Sequence, residues 1–237
     1  MKFPLEPLNF KKIVFFTGAG MSAESGVPTY RGSGGIWNEY RWQEYACQKA
    51  FDRDPQKVLD FHELRRKEAL KCQPHAGHYL ITRLQKQHEA IHVITQNIDG
   101  MHQRAGTGNV VELHGSLWRV RCPRHGVNMD AAESYSHRQC PDCGSWLRPD
   151  IIWFEDRLDE EDVEAARYQL ETCDLFISIG TSAVVWPAAG YPLIARHAGA
   201  QCLEINPEPS ENSEIYHHAL RGKAGEVLPH LFARSQT

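Results

Sequence analysis

The chain has no apolar run long enough to span a bilayer: its first continuous apolar stretch, Ile13 to Phe16, falls far short of the roughly 20 residues a helix needs. The residues before it lack the long apolar region of a secretory signal. A cytoplasmic location with no membrane partner is the expectation. A surplus of positive charge is also missing. With a formal net charge of -4, nothing favours a polyphosphate, so a direct nucleic-acid partner is not expected. Cysteine lacks the even number of a disulfide framework. There are seven, and three of them cluster as Cys122, Cys140 and Cys143, which suits a metal in a reducing compartment. Internal repeats, low-complexity tracts and long Pro/Gly linkers are absent, which counts against solenoids and tethered arrays.

At 237 residues the chain exceeds one average domain and falls short of two comfortable ones. Four apolar, β-rich runs, 13–17, 91–95, 175–180 and 202–206, read as parallel strands covered on both faces. Between them lie helical stretches. In 74–88, Ala76, Tyr79, Leu80, Ile81 and Leu84 recur at helical spacing, and 159–172 is acidic at its front, as a helix start should be. This alternation predicts a doubly wound α/β fold. Two stretches break the rhythm: 32–72, aromatic, charged and helical in pattern, and 118–148, which holds the cysteines and few apolar residues. The expected architecture is a Rossmann-like parallel sheet with a smaller inserted helical and zinc-binding module. Residues 1–32, 73–117 and 149–237 would form the first, and 33–72 with 118–148 the second.

The first strand runs into Thr17-Gly18-Ala19-Gly20-Met21-Ser22, where glycines would let the backbone approach a pyrophosphate past a strand's carboxyl end. Gly-x-Gly alone is a weak signal, because a simple tight turn shares it and the third glycine of the ordinary dinucleotide fingerprint is missing. The continuation is more specific. Gly18-Ala19-Gly20-Met21-Ser22-Ala23-Glu24-Ser25-Gly26-Val27-Pro28-Thr29-Tyr30-Arg31, then Gly34-Gly35-Ile36-Trp37, closely resembles the NAD-binding signature and cofactor loop of the sirtuin family. Further matches follow in family order: Thr95-Gln96-Asn97-Ile98-Asp99-Gly100-Met101-His102, Glu112-Leu113-His114-Gly115, Gly180-Thr181-Ser182 and Glu204-Ile205-Asn206.

This resemblance implies NAD-dependent removal of acyl groups from protein lysines. Asp99 and the Ile98 backbone would hold the nicotinamide carboxamide, while Asn97 and Gln96 would order water and ribose hydroxyls. Thr181 and Ser182 offer small donors to phosphate or ribose, with helix capping as their plainer role; Asn206 matches an adenosine-ribose contact, and Ala224 would border the adenine. His114 follows Val110-Val111-Glu112-Leu113, so it would emerge at a strand end beside the cofactor. An imidazole, with an ordinary pKa near 6.5, suits proton acceptance at neutral pH. His102 reads instead as a packing or water-ordering residue. In the implied mechanism the acyl-lysine oxygen attacks the nicotinamide ribose and expels nicotinamide. His114 then deprotonates a ribose hydroxyl, which attacks the resulting alkylamidate, and water releases free lysine and acyl-ADP-ribose. Closure of the loop from Gly34 to Trp37 would exclude water.

Cys122-Pro123-Arg124-His125 and Cys140-Pro141-Asp142-Cys143 form two knuckles that satisfy tetrahedral zinc without an open position. The family usually supplies four cysteines, so His125 is a departure, and His137 is the alternative fourth ligand. Such a site would be structural, contributing on the order of 10 kcal/mol to folding. The segment Phe61-His62-Glu63-Leu64-Arg65-Arg66 resembles the place where acid-acyl-selective sirtuins carry a tyrosine and, three residues on, an arginine. Arg65 matches and His62 replaces the tyrosine. Three apart on a helix, both would reach the carboxylate of a succinyl, malonyl or glutaryl group, and Ala46 matches the small residue that leaves room for it. The alternative is a solvated helix face and neutral acyl groups. Ile152, Trp153 and Phe154 resemble the strand against which the family's peptides lie, with Glu155 where the family has glycine. Rival functions are mono-ADP-ribosyl transfer and a non-catalytic NAD-sensing interaction module; a monomer is expected.

Overall fold

A computed structural model describes residues 6–30 and 34–233. In chain order its strands are β1 (Ile13–Thr17), β2 (Ile91–Thr95), β3 (Val110–Glu112), β4 (Gly115–Cys122), β5 (Gly126–Met129), β6 (Arg148–Ile151), β7 (Leu175–Ile179), β8 (Gln201–Asn206) and β9 (His218–Arg221). Its α-helices are α1 (Ala19–Ala23), α2 (Ile36–Glu39), α3 (Trp42–Tyr45), α4 (Gln48–Arg53), α5 (Pro55–Lys71), α6 (Ala76–Gln87), α7 (Met101–Arg104), α8 (Glu160–Thr172), α9 (Tyr191–His197) and α10 (Ala224–Ala233).

The large sheet has the order β3-β2-β1-β7-β8-β9, and every neighbouring pair is parallel. The chain winds outward from β1 to β3, returns to β7 beside β1, and winds outward the other way. This is the Rossmann-like arrangement expected, and its point of reversal lies between β1 and β7. β1 and β7 are buried at every position and mostly apolar because both faces are covered. Ile13 and Phe15 enter one core with residues of α6 and α10, whereas Val14 and Phe16 enter another with residues of α8 and α9. Phe15 is fully buried, its ring centroid 6.0 Å from that of Phe232. Burying such a side chain contributes about 1.5–3 kcal/mol.

A second core joins α4 and α5 to an antiparallel sheet of order β5-β4-β6. Helix α5 starts at Asp54, whose carboxylate accepts from the Lys57 N–H, with Pro55 in the first helical position. Its buried face carries Val58, Leu59, His62, Arg65, Arg66 and Ala69, at helical spacing. His62 and Arg65 thus lie on the packed side of the helix, not on a solvated one. Arg66 is fully buried: its Nε donates to the Leu117 carbonyl at 2.7 Å, Nη1 reaches Asp130 at 3.1 Å, and the guanidinium lies 3.9 Å from the Tyr135 ring centre. The cysteine-bearing stretch is less apolar-poor than its composition implies, because Trp118, Val120, Tyr135 and Leu147 all join this core.

Candidate active site

The carboxyl ends of β1, β2, β7 and β8 open into one cavity of 1240 Å³, at the point where the strand order reverses. Backbones meet closely there. A Cβ on Gly20 would stand 2.7 Å from Gly180 Cα, and one on Gly180, whose φ is +64°, would stand 2.2 Å from the Met21 nitrogen. Only glycine allows the turn after β1 to cross the turn after β7, so the Gly18-Ala19-Gly20 backbone and Gly180-Thr181-Ser182 line the cavity together.

Polar side chains from the strand ends are cross-linked. Gln96 donates to Thr181 Oγ1 at 3.2 Å, tying the end of β2 to the end of β7. Asn97 donates to the Gly18 carbonyl at 2.9 Å and to Ser22 Oγ at 3.1 Å, which fixes its carboxamide over the first turn. Asn206 donates to the Thr181 carbonyl at 2.9 Å. Beneath it, Glu204 is fully buried and accepts from Ser210, Ser213 and Arg221; these hydrogen bonds outweigh burial and hold its carboxyl below the usual range. Glu204 thereby anchors the loop whose Pro207, Glu208 and Ser210 form the cavity wall beside Asn206.

His114 follows β3 and lines the cavity. Its Nδ1 lies 2.9 Å from the Gln96 carbonyl oxygen, which accepts only, so Nδ1 carries the proton and the ring's lone pair is on Nε2. The Ile152 N–H donates to the His114 carbonyl at 3.0 Å, coupling this residue to the segment that continues from β6. Ile152, Trp153 and Phe154 line the same cavity, as do Ile98, Tyr30 and Trp37. The aromatic side chains pack on one another: Trp37 lies 5.7 Å from both Tyr30 and Phe154 and 6.0 Å from Phe61, centre to centre. That cluster gives one end of the cavity an aromatic lining.

At this aromatic end lie Ala46, His62 and Arg65. The His62 Nδ1 donates to the Val58 carbonyl at 2.8 Å, and its Nε2 accepts from Trp153 Nε1 at 3.2 Å. Both nitrogens are used, and burial pushes the ring down to about 4. At neutral pH His62 is an uncharged packing residue, which departs from the expectation that it would join Arg65 in holding a carboxylate. Arg65 is different. It is 8% exposed, its Nε is buried without a hydrogen-bond partner, and it forms no ion pair among the described residues. Burial raises the neighbouring Tyr30 phenol to about 12, and the Arg65 guanidinium beside it opposes that rise. Tyr30 therefore stays neutral.

Several expected contacts lie behind the cavity surface. Asp99 is 6% exposed, accepts from the Met101 N–H at 2.9 Å and is raised by burial above an ordinary aspartate. Ser22 is buried against Asn97, and Ser25 Oγ is buried without a protein partner. Ala224 starts α10 inside the sheet core and does not line the cavity. Arg31 lies outside the described residues. His102 is buried with Nε2 3.0 Å from Thr17 Oγ1, in keeping with a packing role. Val184, Val185, Trp186 and Pro187 form a wall that no motif had marked; apolar residues in a connection carry no chemical signature, so their place appears only once the chain is folded.

Away from the cavity, ligand atoms of Cys122, His125, Cys140 and Cys143 all lie within 4.8 Å of one another. Cys122 Sγ is 3.6 Å from Cys143 Sγ and from His125 Nδ1, and His125 Nδ1 is 3.2 Å from Cys140 Sγ. A tetrahedron with zinc–sulfur bonds of about 2.3 Å has sulfur–sulfur edges of about 3.8 Å, so donor set and spacing fit closed zinc coordination. Hydrogen bonding with the Ser145 side chain and backbone brings the Cys143 thiol down to about 6, toward the thiolate a metal requires. His137 is exposed and outside the group.

Residues 18–187 match the sequence model of the Sir2 family. An NAD-dependent protein deacylase 2 of Pyrobaculum aerophilum is 47% identical over 92% of this chain and 88% of its own length. An NAD-dependent protein deacylase of Pyrococcus furiosus is 43% identical, over 92% and 90%. Among solved structures, a Sir2 homologue in complex with NAD superposes with a TM-score of 0.88 at 40% identity, covering 98% of this chain and 94% of that one. A Sir2 variant with a deacetylated p53 peptide and 3'-O-acetyl ADP-ribose gives 0.85 at 29% identity, covering 96% and 94%.

Proposed function

Because the chain belongs to the Sir2 family, we propose that it is an NAD-dependent protein lysine deacylase that removes acetyl groups and acidic acyl groups such as succinyl and malonyl. One observation carries the catalytic half of this reading: the His114 imidazole, its tautomer set by the Gln96 carbonyl, lines the same cavity as the glycine turn and the ends of β2, β7 and β8. When bound, NAD supplies an electrophilic anomeric carbon whose bond to nicotinamide breaks as the acyl-lysine oxygen attaches. This chain's residues then have separable tasks. Gly18 to Gly20, Thr181, Ser182 and Asn206 would hold the diphosphate and adenosine ribose. Gln96, Asn97 and the Ile98 backbone would orient the nicotinamide ribose and carboxamide, with Ser22 and Asp99 bracing them from below. His114 Nε2 would take the proton from a ribose hydroxyl. Tyr30, Trp37 and Phe154 would exclude water, and Ile152 to Phe154 would run beside the peptide backbone. Cys122, His125, Cys140 and Cys143 would hold zinc with no open position, so the metal would brace the small sheet and take no part in chemistry.

The acidic half rests on Arg65. A buried guanidinium without a carboxylate partner among the described residues is costly, and a carboxylate on the acyl chain would relieve that cost through a forked pair. His62 adds shape and no charge. The test is mass spectrometry of NAD incubated with acetyl-lysine, succinyl-lysine and unmodified peptides, using the parent protein and Arg65→Met. Nicotinamide and O-acyl-ADP-ribose should form with both acylated peptides. Arg65→Met should lower kcat/KM for the succinyl peptide by about 2–3 kcal/mol, roughly 30- to 150-fold, and leave the acetyl peptide far less affected. Equal losses would remove the acidic preference; NAD consumption that leaves ADP-ribose on the unmodified peptide would replace deacylation with ADP-ribosyl transfer.

A further inference from the structure

The roles proposed above for the cofactor and the acyl group leave two features of the cavity lining unused. Glu155 is one of three non-glycine residues with positive φ among the described residues, at +73°, and it lies on the wall that continues from Phe154. A side chain in that backbone region is disfavoured relative to glycine, and such strain persists where the residue has a use. Among the described residues its carboxylate makes no buried contact that would explain it. The side chain is 57% exposed and its ion pair is with Lys49, 3.5 Å away and itself 84% exposed. An exposed pair of that kind contributes little and is readily exchanged for another cation. Trp186, whose indole is 72% exposed, lines the same cavity. Its ring sits against Gly190, where a Cβ would come within 2.9 Å of it, so the indole is seated while most of its surface remains open.

An exposed carboxylate and an exposed indole in the lining of one cavity are both complementary to a cation. We propose that Glu155 and Trp186 select acyl-lysine substrates that carry an arginine or lysine next to the modified residue. The incoming cation displaces Lys49 from Glu155 and rests against the indole, and an acidic neighbour in the same place is repelled. This selection rests on the deacylase reading above, which can fail separately.

The experiment compares kcat/KM for three acetyl-lysine peptides that differ only in having Arg, Gln or Glu on both sides of the modified lysine. The parent, Glu155→Gln, Glu155→Gly and Trp186→Ala proteins are assayed at low and high salt. In the parent the Arg peptide should exceed the Glu peptide by about tenfold, with the ratio shrinking at high salt. Glu155→Gln keeps the backbone strain and removes the charge, and Glu155→Gly removes both; each should bring the ratio to about threefold or less, and Trp186→Ala should reduce it at least about threefold. A parent ratio near one, or a ratio that Glu155→Gln or Trp186→Ala leaves unchanged, overturns the proposal. Failure of all three peptides to lose their acetyl group would instead defeat the deacylase reading.

Discussion

Consider acidification from pH 7.5 to 5.5. Three histidines are buried in neutral form: burial pushes His62 to about 4, His78 to about 2 and His102 to about 4. Each is fixed by its surroundings, His62 between Val58 and Trp153, His78 accepting from the His75 N–H at 3.3 Å, and His102 against Thr17. In the unfolded chain all three would titrate near 6.5. Above that value neither state binds the protons and the full stability is present. As pH falls from about 6.5 toward about 4, the unfolded chain takes up protons that the folded protein cannot, so stability is lost at up to about 1.4 kcal/mol per unit for each histidine, or about 4 kcal/mol per unit together. At pH 5.5 the accumulated loss is about 4 kcal/mol, a large part of the 5–15 kcal/mol typical of folded domains. Urea unfolding followed by tryptophan fluorescence at pH 7.5, 6.5, 6.0 and 5.5, with zinc retention measured on the same samples, reads this directly. His78→Asn should lower the pH slope by about one proton, about 1.4 kcal/mol per unit, whatever it does to absolute stability. A stability that changes by less than about 1 kcal/mol over this range would refute the reasoning.

Two further outcomes follow from contacts outside the reacting centre. Removal of metal with a strong chelator should release about one zinc per chain and unfold the knuckles of Cys122, His125, Cys140 and Cys143, so that activity and protease resistance around 122–143 are lost together; full activity in metal-free protein would contradict a structural zinc. Glu204→Gln deprives Ser210, Ser213 and Arg221 of a shared carboxylate and loosens the wall beside Asn206, so the KM for NAD should rise by about tenfold with kcat changed far less, as steady-state kinetics would show.

Much of this was legible in the residues. Runs 13–17 and 91–95 are strands β1 and β2 as expected, and the helix expected over 159–172 begins at Glu160 behind an Asp159 cap. Local patterning decides such elements, because a strand covered on both faces is drawn mostly from apolar, β-branched and aromatic residues. The contiguous motifs around Gly18, Gln96 and Thr181 also converge on one cavity, since each closes a strand of a single parallel sheet. What the sequence hid depends on partners far along the chain. Family resemblance and three-residue spacing predict that His62 joins Arg65 in holding a carboxylate; only folding shows that Trp153, 91 positions away, occupies its second nitrogen. The packing of the zinc-bearing stretch is hidden for a similar reason. Its apolar residues are few, but Trp118 and Tyr135 find theirs on α5 around the buried Arg66.

The most direct measurement takes His114→Ala protein that still binds NAD, as titration calorimetry can establish, and times the appearance of O-acyl-ADP-ribose and free-lysine peptide. A general base whose lone pair is held toward a ribose hydroxyl contributes about 10²- to 10⁴-fold, so product formation should fall within that span while cofactor affinity stays within a few-fold. Product formed by the NAD-bound variant at the parent rate would contradict the account.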